Sequence, residues 1–192
     1  MVIEAADDPE PPEEVGSAWT DRVQAAYRAG GARLWRAIVA WSGSPDVADE
    51  AVAEAFAQLL RRGDDVRDPE AWAWRAAFRL AAGDLQRRRA EAVRRIDDGT
   101  GEAAERIAAP ADRLPGEALD LVAALAQLPD QQRRCVALVD IAGHTAPSAA
   151  AVLGTTAATV RVQLMRGRRR LRALLPDHDP SHRTGTDRED LR

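Results

Sequence analysis

Six arginines, Arg161, Arg166, Arg168, Arg169, Arg170 and Arg172, fall within residues 153–175 with no acid among them, in a chain whose formal net charge is −4. A guanidinium keeps its charge at any physiological pH and presents a planar fork of donors, which suits anionic oxygens and the edge of a guanine. Projected at about 100° per residue, Val160, Leu164, Gly167, Leu171, Leu174 and Leu175 share one apolar stripe, and the arginines occupy the rest of the circumference. Without acids at i,i+4 the cations repel one another. An external polyanion relieves that repulsion, and nucleic acid is the commonest one. A solvated surface helix is the other reading open to this strip.

Just upstream, residues 146–153 have helical character, and Gly154 separates them from a helix over 156–175 capped by Thr155 or Thr156. Two helices joined by so short a turn form a helix-turn-helix, whose second helix enters the major groove. Exposed residues near its start then reach base edges: Thr156, Ala158, Thr159, Arg161, Val162 and Met165. Arg161 suits a bidentate bond to guanine, whereas Arg166, Arg168 and Arg169 suit phosphates.

A second constellation lies on the helix announced by Asp68 and Pro69. Trp72, Arg75, Arg79 and Gln86 fall within about 60° of one another, opposite an apolar arc of Ala73, Trp74, Ala77, Phe78, Leu80, Ala81 and Leu85. A tryptophan beside cations suits single-stranded DNA, since a base stacking on the ring contributes about 1–3 kcal/mol. Packing of Trp72 against the preceding helix is the alternative. Arg87, Arg88 and Arg89 continue the basic character. The helix before it carries Asp46, Asp49, Glu50 and Glu54, which suit an arginine-rich partner surface or plain solvent.

The elements that must position these groups are helical throughout. Hydrophobic residues make up 45% of the chain, much of it alanine, with one Tyr and two Phe. No alternating strand pattern stands out, so the expected class is all-α: two small helical domains joined by a flexible linker. Residues 1–17 hold six acids, no base and three prolines, and read as a disordered acidic tail. Residues 18–96 form the first domain, with helices expected at 18–29 and 31–42, then from Ser44 to Gly63, then from Pro69 to Arg89 or beyond. Residues 97–116, rich in Gly and Pro, read as the linker. Residues 117–175 form the second domain, with helices at 117–127, 130–142, 146–153 and 156–175; residues 176–192 read as a second tail.

Cys135 is the only cysteine, so no disulfide forms within the chain, and a cytoplasmic location fits. No secretory signal or membrane-length apolar run is seen, so no membrane insertion is expected. Neither a phosphate loop, a nucleophile elbow nor a Cys/His metal cluster is present. The expectation is therefore no enzyme, no catalytic residue, no metal and no cofactor, with His144 structural at its turn.

The segment LAQLPDQQRRCVALVDIAGHTAPSAAAVLGTTAATVRVQLMRGRRRLRALL resembles region 4 of the bacterial sigma-70 family, in its extracytoplasmic-function (ECF) branch. The likeness rests on Leu128-Pro129, Arg133, Gly143, Ala150, Leu153-Gly154, Thr159-Val160-Arg161, Leu164 and Leu171-Arg172. PDVADEAVAEAFAQLL is similar to the region 2 stretch that docks on polymerase, through Ala48, Asp49, Glu50, Val52, Glu54, Phe56 and Leu59. WAWRAAFRLAAGDLQRRR is similar to the stretch that reads and melts the −10 element. The resemblance implies a sigma factor that directs core RNA polymerase to promoters, and implies an anti-sigma factor as a further partner. It assigns polymerase binding to Asp46, Asp49, Glu50, Glu54 and Phe56. It assigns −10 contacts to Trp72, Arg75, Arg79, Gln86, Arg87 and Arg88, and −35 contacts to the helix-turn-helix. Departures stand at Ala53 (usually Gln), Arg79 (Asn), Gly83 (Asp), Ser148 (Glu, which removes a capping box) and Val162 (small polar). Those at Ala53, Arg79, Gly83 and Ser148 keep a degenerate sigma-like regulator without initiation activity in view, and a protein–protein interaction module is a second, separate alternative.

Overall fold

The computed structural model describes residues 14–97 and 115–175. Residues 1–13, 98–114 and 176–192, which hold most of the expected 1–17 tail, most of the expected 97–116 linker and all of the second tail, lie outside the described residues, whereas residues 14–17, expected in the disordered tail, are helical. Among the described residues there is no strand, and no helix is long and apolar enough to cross a membrane. The described residues form seven α-helices in order: α1 Glu14–Ser42, α2 Pro45–Arg62, α3 Pro69–Asp97, α4 Gly116–Ala126, α5 Asp130–Val136, α6 Ala146–Leu153 and α7 Ala157–Leu174.

In the first block, local signals set the start of α2. The Ser44 hydroxyl accepts from the Val47 amide at 3.3 Å, and Pro45 occupies the first turn, where a missing N–H costs nothing. Asp68 caps α3 in the same way, accepting from Ala71 at 2.9 Å. The expected break between helices at 18–29 and 31–42 does not occur: α1 runs through Gly30 and Gly31. Both glycines are buried, and each marks a close approach rather than a stop. A methyl on Gly30 would sit 3.3 Å from the Glu70 carboxylate, and one on Gly31 would sit 3.1 Å from the Tyr27 ring. Helix α2 lies against α1 and α3 through Val47, Ala48, Ala51, Val52, Ala55, Phe56 and Leu59, all buried.

The second block is built from smaller side chains. Helix α5 does not continue regularly to 142; it widens into a π turn at Ala137–Ile141. Gly167 explains how α7 seats on α5, since a methyl there would come within 2.9 Å of Val136 Cγ2 and 3.3 Å of Leu128 Cδ2. Cys135 lies beneath this contact with 2% of its surface exposed, and burial pushes its thiol pKa up.

The two blocks are not separate bodies. The C-terminal half of α1 packs on α4, α5 and the π turn, and α3 packs on α6. Buried residues of both, Trp41, Trp74 and Ile38 with Leu125 and Leu138, belong to one hydrophobic cluster.

Candidate nucleic-acid interface

Helix α6 ends at Gly154, whose left-handed backbone (φ 64°, ψ 39°) turns the chain while its amide bonds the Ala150 carbonyl. Thr156 then caps α7: its hydroxyl accepts from the Thr159 amide at 3.1 Å and lies 2.9 Å from the Thr159 hydroxyl. The start of α6 keeps the hydroxyl half of a capping box. Thr145 accepts from the Ser148 amide at 3.3 Å, and the Ser148 hydroxyl instead meets His144 Nδ1 at 2.7 Å.

With Val160, Leu164 and Gly167 buried, α7 turns the opposite arc outward. Ala158, Thr159, Arg161, Val162, Met165, Arg166 and Arg169 are all exposed there, Met165 to 64%. Arg168 is placed differently. Its guanidinium forms a two-pronged pair with Asp140 of the π turn, with Nε 3.1 Å from Oδ2, and that bond raises its already high pKa. Arg168 therefore ties α7 to the scaffold, whereas Arg161, Arg166 and Arg169 have no acid partner among the described residues.

On α3, Arg75, Arg79 and Gln86 are exposed along one side. Trp72 combines features of both readings: it is half-buried against the core, and its ring carries the Arg62 guanidinium at 5.4 Å. Arg87 and Arg88 are drawn back onto Asp84, a carboxylate only 9% exposed, at 2.5 and 2.6 Å. Arg88 also approaches Glu50 of α2 at 3.7 Å.

Of the acids on α2, Asp46, Asp49, Glu50 and Glu54 are exposed. Asp49 accepts the Trp35 indole N–H at 2.7 Å. Glu54 accepts from Gln58 and pairs with Arg61, both at 2.9 Å, which lowers its pKa. Phe56 lies in the core, 8% exposed and edge-on to Tyr27, so it supports this face from beneath.

Sequence reading missed the seam between the blocks. The Trp41 indole N–H donates to Asp130 Oδ1 at 2.8 Å, across 89 positions. Arg134 lies 4.4 Å over the same ring and 2.8 Å from Asp130. His144 meets Trp74 edge-on at 4.2 Å.

Residues 118–171, which carry the helix-turn-helix, match the family model for Sigma-70, region 4. The fold is similar to that of CnrH solved with the cytosolic domain of CnrY, with a TM-score of 0.62 and 24% identity over 86% of this chain and 95% of that one. It is also similar to the sigma factor RpoE from Bartonella quintana solved with the anti-sigma factor NepR, with a TM-score of 0.61 and 20% identity over 85% and 99%. The sequence is 30% identical over 141 residues to the ECF RNA polymerase sigma factor EcfG of Rhodopseudomonas palustris, covering 71% of this chain and 76% of that protein. The identity to that protein, over three quarters of its length, and the region 4 match across the helix-turn-helix show that the chain belongs to the ECF family of RNA polymerase sigma factors.

Proposed function

We propose that the family role, promoter-specific transcription initiation with core RNA polymerase, is divided among three surfaces of this chain. The outward arc of α7 binds the −35 element: Arg161 reads a base edge, Arg166 and Arg169 hold phosphate, and Arg168 positions the helix through Asp140. The exposed side of α3, with Arg75, Arg79 and Gln86 beside Trp72, takes the −10 strand. Arg87 and Arg88, fixed by Asp84, set the position of the basic run. Asp46, Asp49, Glu50 and Glu54 of α2 dock on polymerase, with Phe56 as their support.

The observation that carries this reading is the composition of the α7 arc: exposed arginines without acid partners among the described residues, in a chain of net negative charge. The chain catalyses no covalent step in this scheme. Unpaired bases held in protein sites offset the cost of strand separation. It acts in the cytoplasm, where polymerase is found, and an anti-sigma factor is its regulatory partner, as NepR is for the Bartonella protein.

Reconstituted run-off transcription, with genome-wide mapping of start sites, tests the proposal. Transcripts that begin at a shared promoter sequence support it. Binding to core polymerase without transcripts would leave the degenerate regulator, which Arg79 and Gly83 on the −10 surface favour.

A further inference from the structure

Helix α7 presents more than arginine to its surroundings. Val162 and Met165 are 43% and 64% exposed, and with the exposed Ala158 they follow one another at i, i+4 and i+7. At about 100° per residue these three side chains fall within about 60° of one another, nearly opposite the buried Val160, Leu164 and Gly167. They form the ridge that stands farthest from the core. Arg161 flanks it on one side and Arg166 on the other, and neither has an acid partner among the described residues.

The roll of the helix is fixed, so the ridge stays outward. Gly167 sits where a methyl would come within 2.9 Å of Val136 Cγ2, and Arg168 is tied to Asp140. Polar side chains in the first turns of α7 are already engaged. The Thr159 hydroxyl lies 2.9 Å from that of Thr156, and Gln163 donates to Gln131 at 3.5 Å. What faces outward between Ala158 and Arg166 is therefore aliphatic, with a cation on either side.

An aliphatic side chain pressed on a donor or acceptor takes that group from water and returns no bond. Within the major groove, the C5-methyl of thymine is the apolar group on offer, and the groups that distinguish the other bases are donors and acceptors. The rise from Ala158 to Met165 is about 10 Å, roughly three base-pair steps. Valine is stiff at χ1 and gives a fixed contact, whereas the flexible thioether of methionine reaches an adjacent step.

Resting on the −35 assignment above, we propose that the Ala158–Val162–Met165 ridge reads pyrimidine C5-methyl groups in the major groove, beside the base edge held by Arg161. The element bound by α7 then carries thymine, or cytosine methylated at C5, facing Val162 and Met165. That choice is made without a hydrogen bond. Arg166 and Arg169 add affinity through phosphates and take no part in it.

Duplexes recovered from a randomised −35 region by the full chain on core polymerase supply the probe. Deoxyuridine replaces each thymine in turn; it keeps the hydrogen-bonding groups of thymine and lacks only the methyl. Competition binding should weaken about fourfold at each position facing the ridge, the effect of burying one methyl. Val162→Ser and Met165→Gln, both at exposed positions, should leave the fold intact, which a thermal melt checks, and should remove the deoxyuridine effect at their own positions.

5-Methylcytosine in place of cytosine separates the two sources of the methyl. Tighter binding there, with no thymine effect, identifies the methylated base as the one read. A recovered sequence indifferent both to deoxyuridine and to cytosine methylation at every position overturns the proposal, as does a methyl effect that persists unchanged in both variants. If the −35 assignment itself failed, Arg161→Ala, Val162→Ser and Met165→Gln chains would all recover the same sequences as wild type, and both readings would fall together.

Discussion

Helices α3 and α7 both carry runs of arginine, and they treat that charge in opposite ways. On α3, Arg87 and Arg88 share one ion-pair partner, Asp84, a buried acid on the same helix. On α7, only Arg168 is so engaged, by an acid from another element, and Arg161, Arg166 and Arg169 face water without acid partners among the described residues. The same residue type is therefore ion-paired at Arg87, Arg88 and Arg168 and left facing water at Arg161, Arg166 and Arg169. What separates the two is a single well-placed acid, and net charge along the run does not reveal it.

The comparison breaks most visibly at Asp84. Replacing Arg87 and Arg88 together by Ala leaves that carboxylate buried without a partner, which should cost about 3 kcal/mol in chemical denaturation. Loss of DNA binding without loss of stability would mean that α3 uses its arginines as α7 does. Gly167→Ala probes the seat of α7: the added methyl meets stiff Val136 at 2.9 Å, and a loss of about 2 kcal/mol is expected in the same assay.

Within α7 the contrast sharpens further. Arg161→Ala should reduce discrimination at one −35 base pair by about 1–3 kcal/mol, measured by competition among altered duplexes. Arg169→Ala should weaken binding to all sequences alike and reduce the salt slope by about one. Arg168→Ala, which removes a half-exposed pair with Asp140, should cost at most about 1 kcal/mol of stability and leave the salt slope nearer to wild type than Arg169→Ala does.

The smallest effect concerns pH. Burial, and then the charge of Arg33, hold His144 below its ordinary pKa of 6.5, against the opposing pull of Glu70; Asp68 lines the same recess. The unfolded chain then binds a proton that the folded chain resists. Stability should be full above about pH 6.5 and decline as pH falls below it, an effect that His144→Ala removes from the melting profile.

Much of the fold was legible in the sequence because its signals are local. Ser44-Pro45, Asp68-Pro69, Thr145, Gly154 and Thr156 act within a few residues, and the helices they bound fall close to the expected limits. Gly30-Gly31 misled because a glycine pair reads alike whether it ends a helix or lets a neighbour come close. The distinction lies with Glu70, forty positions away, and with the packing of Tyr27. The π turn after α5 has no spacing signature, and the pairing of Arg168 depends on that turn presenting Asp140. Phe56 matched a docking motif yet lies inward, since a motif marks a neighbourhood rather than each atom that touches the partner. The seam through Trp41 and Asp130 was invisible for the plainest reason: periodicity describes one helix at a time.

The depth of Cys135 has a consequence for signalling. Thiolate is the form that peroxides and electrophiles attack, and a thiol shut away with a raised pKa stays protonated at cellular pH. Its one cysteine is therefore not poised as an oxidation sensor, and a stimulus that acts through thiol chemistry has to be sensed by another molecule and relayed to this chain.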